Sequence, residues 1–219
     1  MQFDHQGDYA KLESPTIRLL LRSPLVAVVM HWTFQSLFYM DPTERWFKLT
    51  LDLVLTLLGG TVLSVWLRWQ VVWLIAFMVA HTLNFLFNGQ LWGVLKHYGM
   101  VSHTYEEFCG YVQDLGERTG REPSIWYTVI YGSLSRQQWS PSSDLDARIV
   151  RYPGFVNGVR VCWFLLRERS RALIARFPLD VYVLDSESAL GKLCPDENAI
   201  RLDGSMPAFA NRRVRELDL

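Results

Sequence analysis

Cysteine is scarce in this 219-residue chain: Cys109, Cys162 and Cys194 are odd in number, far apart and never arranged as CxxC. That argues against a disulfide framework and fits a reducing compartment. An excess of one charge is also lacking, since 22 basic residues balance 22 acidic ones. The molecule as a whole therefore offers no electrostatic footing for nucleic acid. No GxxxxGK[ST] phosphate loop, internal repeat or low-complexity tract occurs. The first residues, MQFDHQGDYAKLES, are polar and mixed in charge, so they do not read as a secretory signal.

What is abundant is apolar surface: half the residues are hydrophobic and 14% are aromatic. It is unevenly spread. Residues 49–67 carry one charge, Asp52, and residues 69–95 carry no Lys, Arg, Asp or Glu at all. A bilayer core needs about 20 apolar helical residues. Region 1–100 therefore reads as a membrane-associated, all-α region with spans at about 49–67 and 70–95, joined by a tight turn into a hairpin. Trp46, Trp66, Trp69 and Trp92 lie where an interfacial belt would put them. Arg45, Lys48 and Lys96 flank the hairpin's open end against Arg68 in its turn, which places that end, and everything after it, on the cytoplasmic side.

Asp52, His81, Asn84, Asn88 and Gln90 are costly in hydrocarbon unless they face a partner. His81, Asn84 and Asn88 share one helix face and read as an interhelical hydrogen-bonding seam, with a head-group or substrate contact as the other reading. Such polar groups also suggest a homo-oligomer or a membrane-protein partner. Residues 23–40 are short for a crossing and read as an interfacial helix.

Beyond Val101 the pattern becomes that of a water-soluble domain. Thr104-x-x-Glu107 is a capping box opening a helix to about Gly116. Residues 124–132, 144–150 and 179–184 read as strands, with 199–204 as an edge strand. Residues 155–177 read as a helix stopped by Pro178. The expected fold class for 101–219 is α+β, a small mixed β-sheet packed on helices. Arg160, Arg167, Arg169, Arg171 and Arg176 on the long helix read as a solvated face with Glu168, or as a basic surface against anionic lipid. Cys162 and Trp163 read as core, and the tail 210–219 as an exposed helix or arm.

The chemistry concentrates in YGSLSRQQWSPSSDLDARIV, residues 131–150. Asp144, Asp146 and Arg148 alternate with Leu145, Ala147 and Ile149, so the carboxylates point to one side of a strand. Asp180 points opposite to Leu179, Val181 and Val183 on the next strand and stands beside that pair if the strands are neighbours. Three converging carboxylates repel and need a cation. Hard Mg²⁺ or Mn²⁺ suits all-oxygen donors and bridges carboxylates to phosphates. The Gly132-Ser133 turn before them has the outline of a phosphate site, because glycine lets the backbone approach an anion. Ser140, Ser142 and Ser143 read as phosphate contacts, Ser143 foremost, or simply as turn formers beside Pro141. Asp185 is a rival to Asp180 that a regular strand turns the other way.

A strand, Gly-Ser, a gap of this length, Asp-x-Asp on a strand and a third Asp on a later strand resemble the polymerase-β-like nucleotidyltransferase superfamily. The match covers Tyr131 to Asp146 plus Asp180, within roughly 101–205. The resemblance implies a nucleotidyltransferase-like sheet that binds two Mg²⁺ or Mn²⁺ ions and uses a nucleoside triphosphate as substrate. It implies that Gly132 and Ser133 hold the β- and γ-phosphates. It further implies that Asp144 and Asp146 bind both metals, and that Asp180 binds one and helps deprotonate an acceptor hydroxyl. It says nothing of the hydrophobic half. Two other readings stand beside an active, membrane-held transferase with a lipid-linked or glycan acceptor. One is a nucleotide-binding regulatory or scaffold module. The other is a toxin that nucleotidylates RNA or protein.

Overall fold

A computed structural model describes residues 23–192 and 200–202. The tail 210–219 lies outside them. The chain is α+β, with six α-helices and a four-stranded mixed sheet among the described residues. Helix α1 is Pro24–Phe34, α2 Pro42–Leu63, α3 Trp69–Asn88, α4 Leu91–Leu95, α5 Tyr105–Gly120 and α6 Phe155–Ala175. Strand β1 is Ile125–Tyr131, β2 Leu145–Arg151, β3 Leu179–Leu184 and β4 Ile200–Leu202.

The sheet order is β3-β2-β1-β4. Strand β1 runs antiparallel to both β2 and β4, whereas β2 and β3 are parallel and joined through α6. A parallel pair needs such a crossover. Alternation does the rest. Leu145, Ala147 and Ile149 on β2 and Leu179, Val181 and Val183 on β3 are buried in one cluster. Phe108, Val112 and Leu115 from α5 and Val161, Phe164 and Leu165 from α6 complete that cluster. Both helices thus cover one face of the sheet, and the residues in between, Asp146, Arg148, Asp180 and Tyr182, are left on the other.

Helix α5 starts as its sequence predicts. The Thr104 Oγ1 accepts from the Glu107 amide at 3.2 Å, and the Glu107 carboxylate accepts from the Thr104 amide at 2.9 Å. It runs one turn past the expected Gly116, to Gly120. Helix α6 ends at Ala175 because Arg176 takes a left-handed conformation, φ 55°, just before Phe177-Pro178.

Helices α2 and α3 are long and apolar enough to cross a bilayer. Their bounds differ from the expected 49–67 and 70–95. Pro42 serves as a first-turn residue after Asp41, so α2 begins before the uncharged run. Helix α3 stops at Asn88, where Gly89 is extended. The two pack so closely at Gly60 that a Cβ there would collide with the Trp73 ring. Leu53, Leu57, Leu58 and Val62 of α2 and Leu74 and Val79 of α3 remain exposed.

The polar residues between the helices form a seam. His81 Nδ1 lies 2.6 Å from Asp52 Oδ2, and Asn84 donates to Asp52 Oδ1 at 2.9 Å. Lys48 donates to the carbonyls of Asn88, at 2.9 Å, and Gln35, at 3.2 Å. Residues 23–40 supply the short helix α1, too short to cross, and its Trp32 carbonyl faces His81 Nε2 at 2.8 Å.

The base of α2 closes the outer edge of β3. Glu44 Oε2 accepts from the Val183 amide at 2.8 Å, and Arg169 Nη2 donates to the Val181 carbonyl at 2.6 Å. Arg169 and Glu44 are themselves an ion pair at 2.7 Å, with side chains 1% and 2% exposed. The adjacent Asp185 amide donates to Asp41 at 2.9 Å. An edge strand's unpaired amides and carbonyls are thereby satisfied by side chains.

Two expectations for α6 are corrected here. Glu168 and Arg169 are buried, not solvated. Glu168 is held by Arg118 at 2.9 Å and by Arg171, while Arg169 turns inward to Glu44 and Asn88. Trp163 is half exposed and meets the Phe47 ring edge-on, so it is not core; Cys162 is.

Candidate functional site

The face of the sheet away from α5 and α6 carries the charged groups. Asp146 and Asp180 are direct register partners across the parallel β2–β3 pair, so their side chains leave the sheet side by side. The next pair along is Arg148 and Tyr182. Arg148 is held between two aromatic rings, 4.7 Å from the Tyr131 centroid and 4.6 Å from that of Tyr182. Its Nη1 lies 4.0 Å from Asp180 Oδ2. Asp144 sits just ahead of β2.

Burial raises the pKa of Asp146 well above the usual carboxylate range, and the charges of Asp144 and Asp180 raise it further against Lys96 and Arg148. Burial likewise raises Asp180; Arg148 opposes this and Asp144 adds to it. The three aspartates thus feel one another as a set. Among the described residues, however, no three His, Cys, Asp or Glu side chains stand as a ready group for one metal ion. The Asp144 carboxylate is engaged by the ammonium of Lys96. The cation that the sequence demands is, in this structure, a lysine.

Gly132 follows β1 with φ 76°, and its backbone lies against Asp146 so closely that any Cβ would strike that carboxylate. The turn closes on itself: the Gln138 amide donates to the Ser133 carbonyl at 2.8 Å and the Arg136 amide to that of Gly132 at 3.2 Å. Ser133 Oγ is buried with no hydrogen-bond partner. A buried hydroxyl without a partner is costly and points to a group it is built to meet. Ser143 is different. Its Oγ accepts from the Ser140 amide at 2.9 Å, the work of a turn former.

Asp185 belongs to another set. It accepts from Arg151 Nε at 2.8 Å and from the Thr43 amide at 3.1 Å, on the α2 side of the fold.

Clustered carboxylates and an orphaned serine hydroxyl are oxygen donors of the kind a hard divalent ion takes. Asp146 and Asp180 are the residues that would hold such an ion. Sequence reasoning missed Lys96, Tyr131 and Tyr182. The tyrosines were legible as the partners in alternation of Asp180 and the Gly-Ser turn. Lys96, the first charge after a long uncharged run, was read only as an end marker.

Gly132→Ala is expected to unfold at a lower temperature and, if the cleft takes Mn²⁺, to bind it at least about tenfold more weakly. A left-handed non-glycine residue costs roughly 1–2 kcal/mol, and the new methyl displaces Asp146. Thermal unfolding with and without Mn²⁺ measures both effects.

No family model, curated protein or solved structure matches this chain.

Proposed function

We propose that this protein is a metal-dependent nucleotidyltransferase held at the cytoplasmic face of a membrane by α2 and α3. It transfers a nucleoside monophosphate from a nucleoside triphosphate to a hydroxyl or phosphate of a lipid-linked or glycan acceptor. The observation that carries this reading is the pairing of Asp146 with Asp180 beside a left-handed Gly132 turn whose Ser133 hydroxyl is buried and unsatisfied. The exposed leucines and valines along two long helices support the membrane.

In the reaction an acceptor oxygen bonds to the α-phosphorus, the bond from that phosphorus to the α,β-bridging oxygen breaks, and pyrophosphate leaves. The backbone of the Gly132 turn and the Ser133 hydroxyl bind and orient terminal phosphate oxygens. Asp180, beside Asp146 but farther from the turn, accepts the acceptor's proton. Bound Mg²⁺ or Mn²⁺ would supply the charge that neutralises the triphosphate and lowers the acceptor's pKa.

The test uses the full chain in lipid nanodiscs with Mn²⁺, a membrane lipid extract and each labelled triphosphate in turn. Pyrophosphate release with label moving into one acceptor is expected, and no release from any triphosphate overturns the proposal. One observation favours a second reading: Lys96 already neutralises Asp144. A scaffold module that binds nucleotide without turnover would show saturable nucleotide binding and no pyrophosphate.

A further inference from the structure

Lys96 sets its ammonium against the acidic cleft at Asp144. It lies at the first position of a 3₁₀ turn, Lys96–Tyr98, directly after α4. Its neighbours are well anchored. Trp92 Nε1 donates to the Leu173 carbonyl of α6 at 2.8 Å, Tyr182 Oη donates to Gln90 Oε1 at 2.9 Å, and the Gly99 amide closes the turn on the Lys96 carbonyl at 3.1 Å. The segment that leaves α3 therefore crosses the sheet edge at Tyr182, the register partner of Arg148, and delivers an ammonium to Asp144. The two side chains are 12% and 20% exposed. A surface lysine has no need of so enclosed a partner.

We infer that Lys96 is the resident counter-cation of the acidic cleft, and that a divalent ion and the Lys96 ammonium compete for Asp144. The physical reason is exclusion. An ammonium and a divalent ion at the same carboxylate repel strongly in a half-buried cleft. Only one can be there. The lysine keeps three neighbouring aspartates tolerable to the fold when no metal is bound. It also sets how much metal is needed to load the site. Resting on the transferase reading, the metal arrives with a triphosphate, whose phosphate oxygens offer the displaced ammonium a new partner of the kind lysine binds as a point charge. Because Lys96 rides on the segment that leaves α3, its reach to Asp144 depends on where that helix ends.

The experiment is a nucleotide-free titration of the full chain in nanodiscs with Mn²⁺, reading free Mn²⁺ by its paramagnetic resonance. Lys96→Met is expected to bind Mn²⁺ about tenfold tighter than the wild type, a difference of about 1.4 kcal/mol. Lys96→Arg, which keeps the charge, is expected to bind like the wild type. Lys96→Met combined with Asp144→Asn loses the gain, because the carboxylate in dispute is gone. Thermal unfolding gives a second readout that does not depend on activity. Without metal Lys96→Met melts below the wild type, and Mn²⁺ raises its midpoint by more than it raises that of the wild type. Equal or weaker Mn²⁺ binding by Lys96→Met, or no binding by either protein, overturns the inference. Pyrophosphate release is measured separately. Release by the wild type without tighter Mn²⁺ binding by Lys96→Met sinks the lysine alone. Tighter binding without release from any triphosphate sinks the transferase alone.

Discussion

If the protein is the transferase proposed above, Asp146→Asn is expected to abolish pyrophosphate release and at the same time to make the metal-free protein more heat-stable. The loss is expected to be about a thousandfold or more, on the scale of removing a principal charge-stabilising group. The gain follows from the electrostatics of the cleft. Burial and the charges of Asp144 and Asp180 hold the Asp146 pKa well up, so its ionised form is disfavoured in the folded chain. A carboxylate raised in this way stabilises the fold fully below its unfolded pKa and loses that contribution as pH rises through the folded one. The penalty is complete once the pH exceeds that raised pKa, and asparagine, isosteric and neutral, removes it. A rise of a few degrees in the unfolding midpoint is expected.

The same reasoning fixes a pH dependence. Without metal, the wild-type midpoint falls as pH climbs from the ordinary carboxylate range through the raised pKa values of Asp146 and Asp180. Mn²⁺ affinity rises over that window, because protons and metal compete for the same oxygens. In Asp146→Asn both slopes flatten. A variant that loses activity and stability together would instead mark Asp146 as a structural residue.

Glu44→Ala is expected to be the most destabilising single change in the molecule. It removes the acceptor of the Val183 amide and the partner of Arg169 in one step. Arg169 is 1% exposed and would be left a buried, unpaired charge. Breaking a buried ion pair from one side costs roughly 3–5 kcal/mol, enough in a chain of this size to lower the midpoint by roughly 10 °C. Glu44→Gln keeps an acceptor for the Val183 amide but still removes the counter-charge of Arg169, so it should be milder than Glu44→Ala only by that hydrogen bond, about 1 kcal/mol. Thermal unfolding in nanodiscs compares the two. Equal effects would mean that the charge, not the closing of the strand edge, is what Glu44 contributes.

The half beyond Val101 was readable because its periodicities are clean. Leu145, Ala147 and Ile149 alternate with Asp146 and Arg148, and the structure splits them between the two faces of β2 as alternation requires. The Thr104–Glu107 capping box and the stop before Pro178 are local chemistry, and local chemistry survives folding. What was not readable depends on distant partners. Charges on α6 count as solvent-facing until Glu44 and Arg118, far away in the chain, are brought to them. Helix α2 begins at Pro42 although Glu44, Arg45 and Lys48 interrupt any apolar window, because those charges are spent on the neighbouring sheet, on main-chain carbonyls and on α3. The Lys96–Asp144 pair joins two segments that no spacing rule relates. For the site, the sequence marked the carboxylates and the glycine turn; it did not mark the internal cation between them.

The seam between Glu44, Arg169 and the rim of β3 has an evolutionary corollary. Hydrophobic anchors are commonly traded between proteins, since grease of the right length serves any cargo. Here the first turn of α2 is also the missing neighbour of a strand, so a grafted substitute of equal length and oiliness would leave the Val183 amide without its acceptor. Variants of this chain can change the exposed leucines of α2 without touching the sheet, but the register between Glu44 and Val183 ties that helix to the α+β body as one unit.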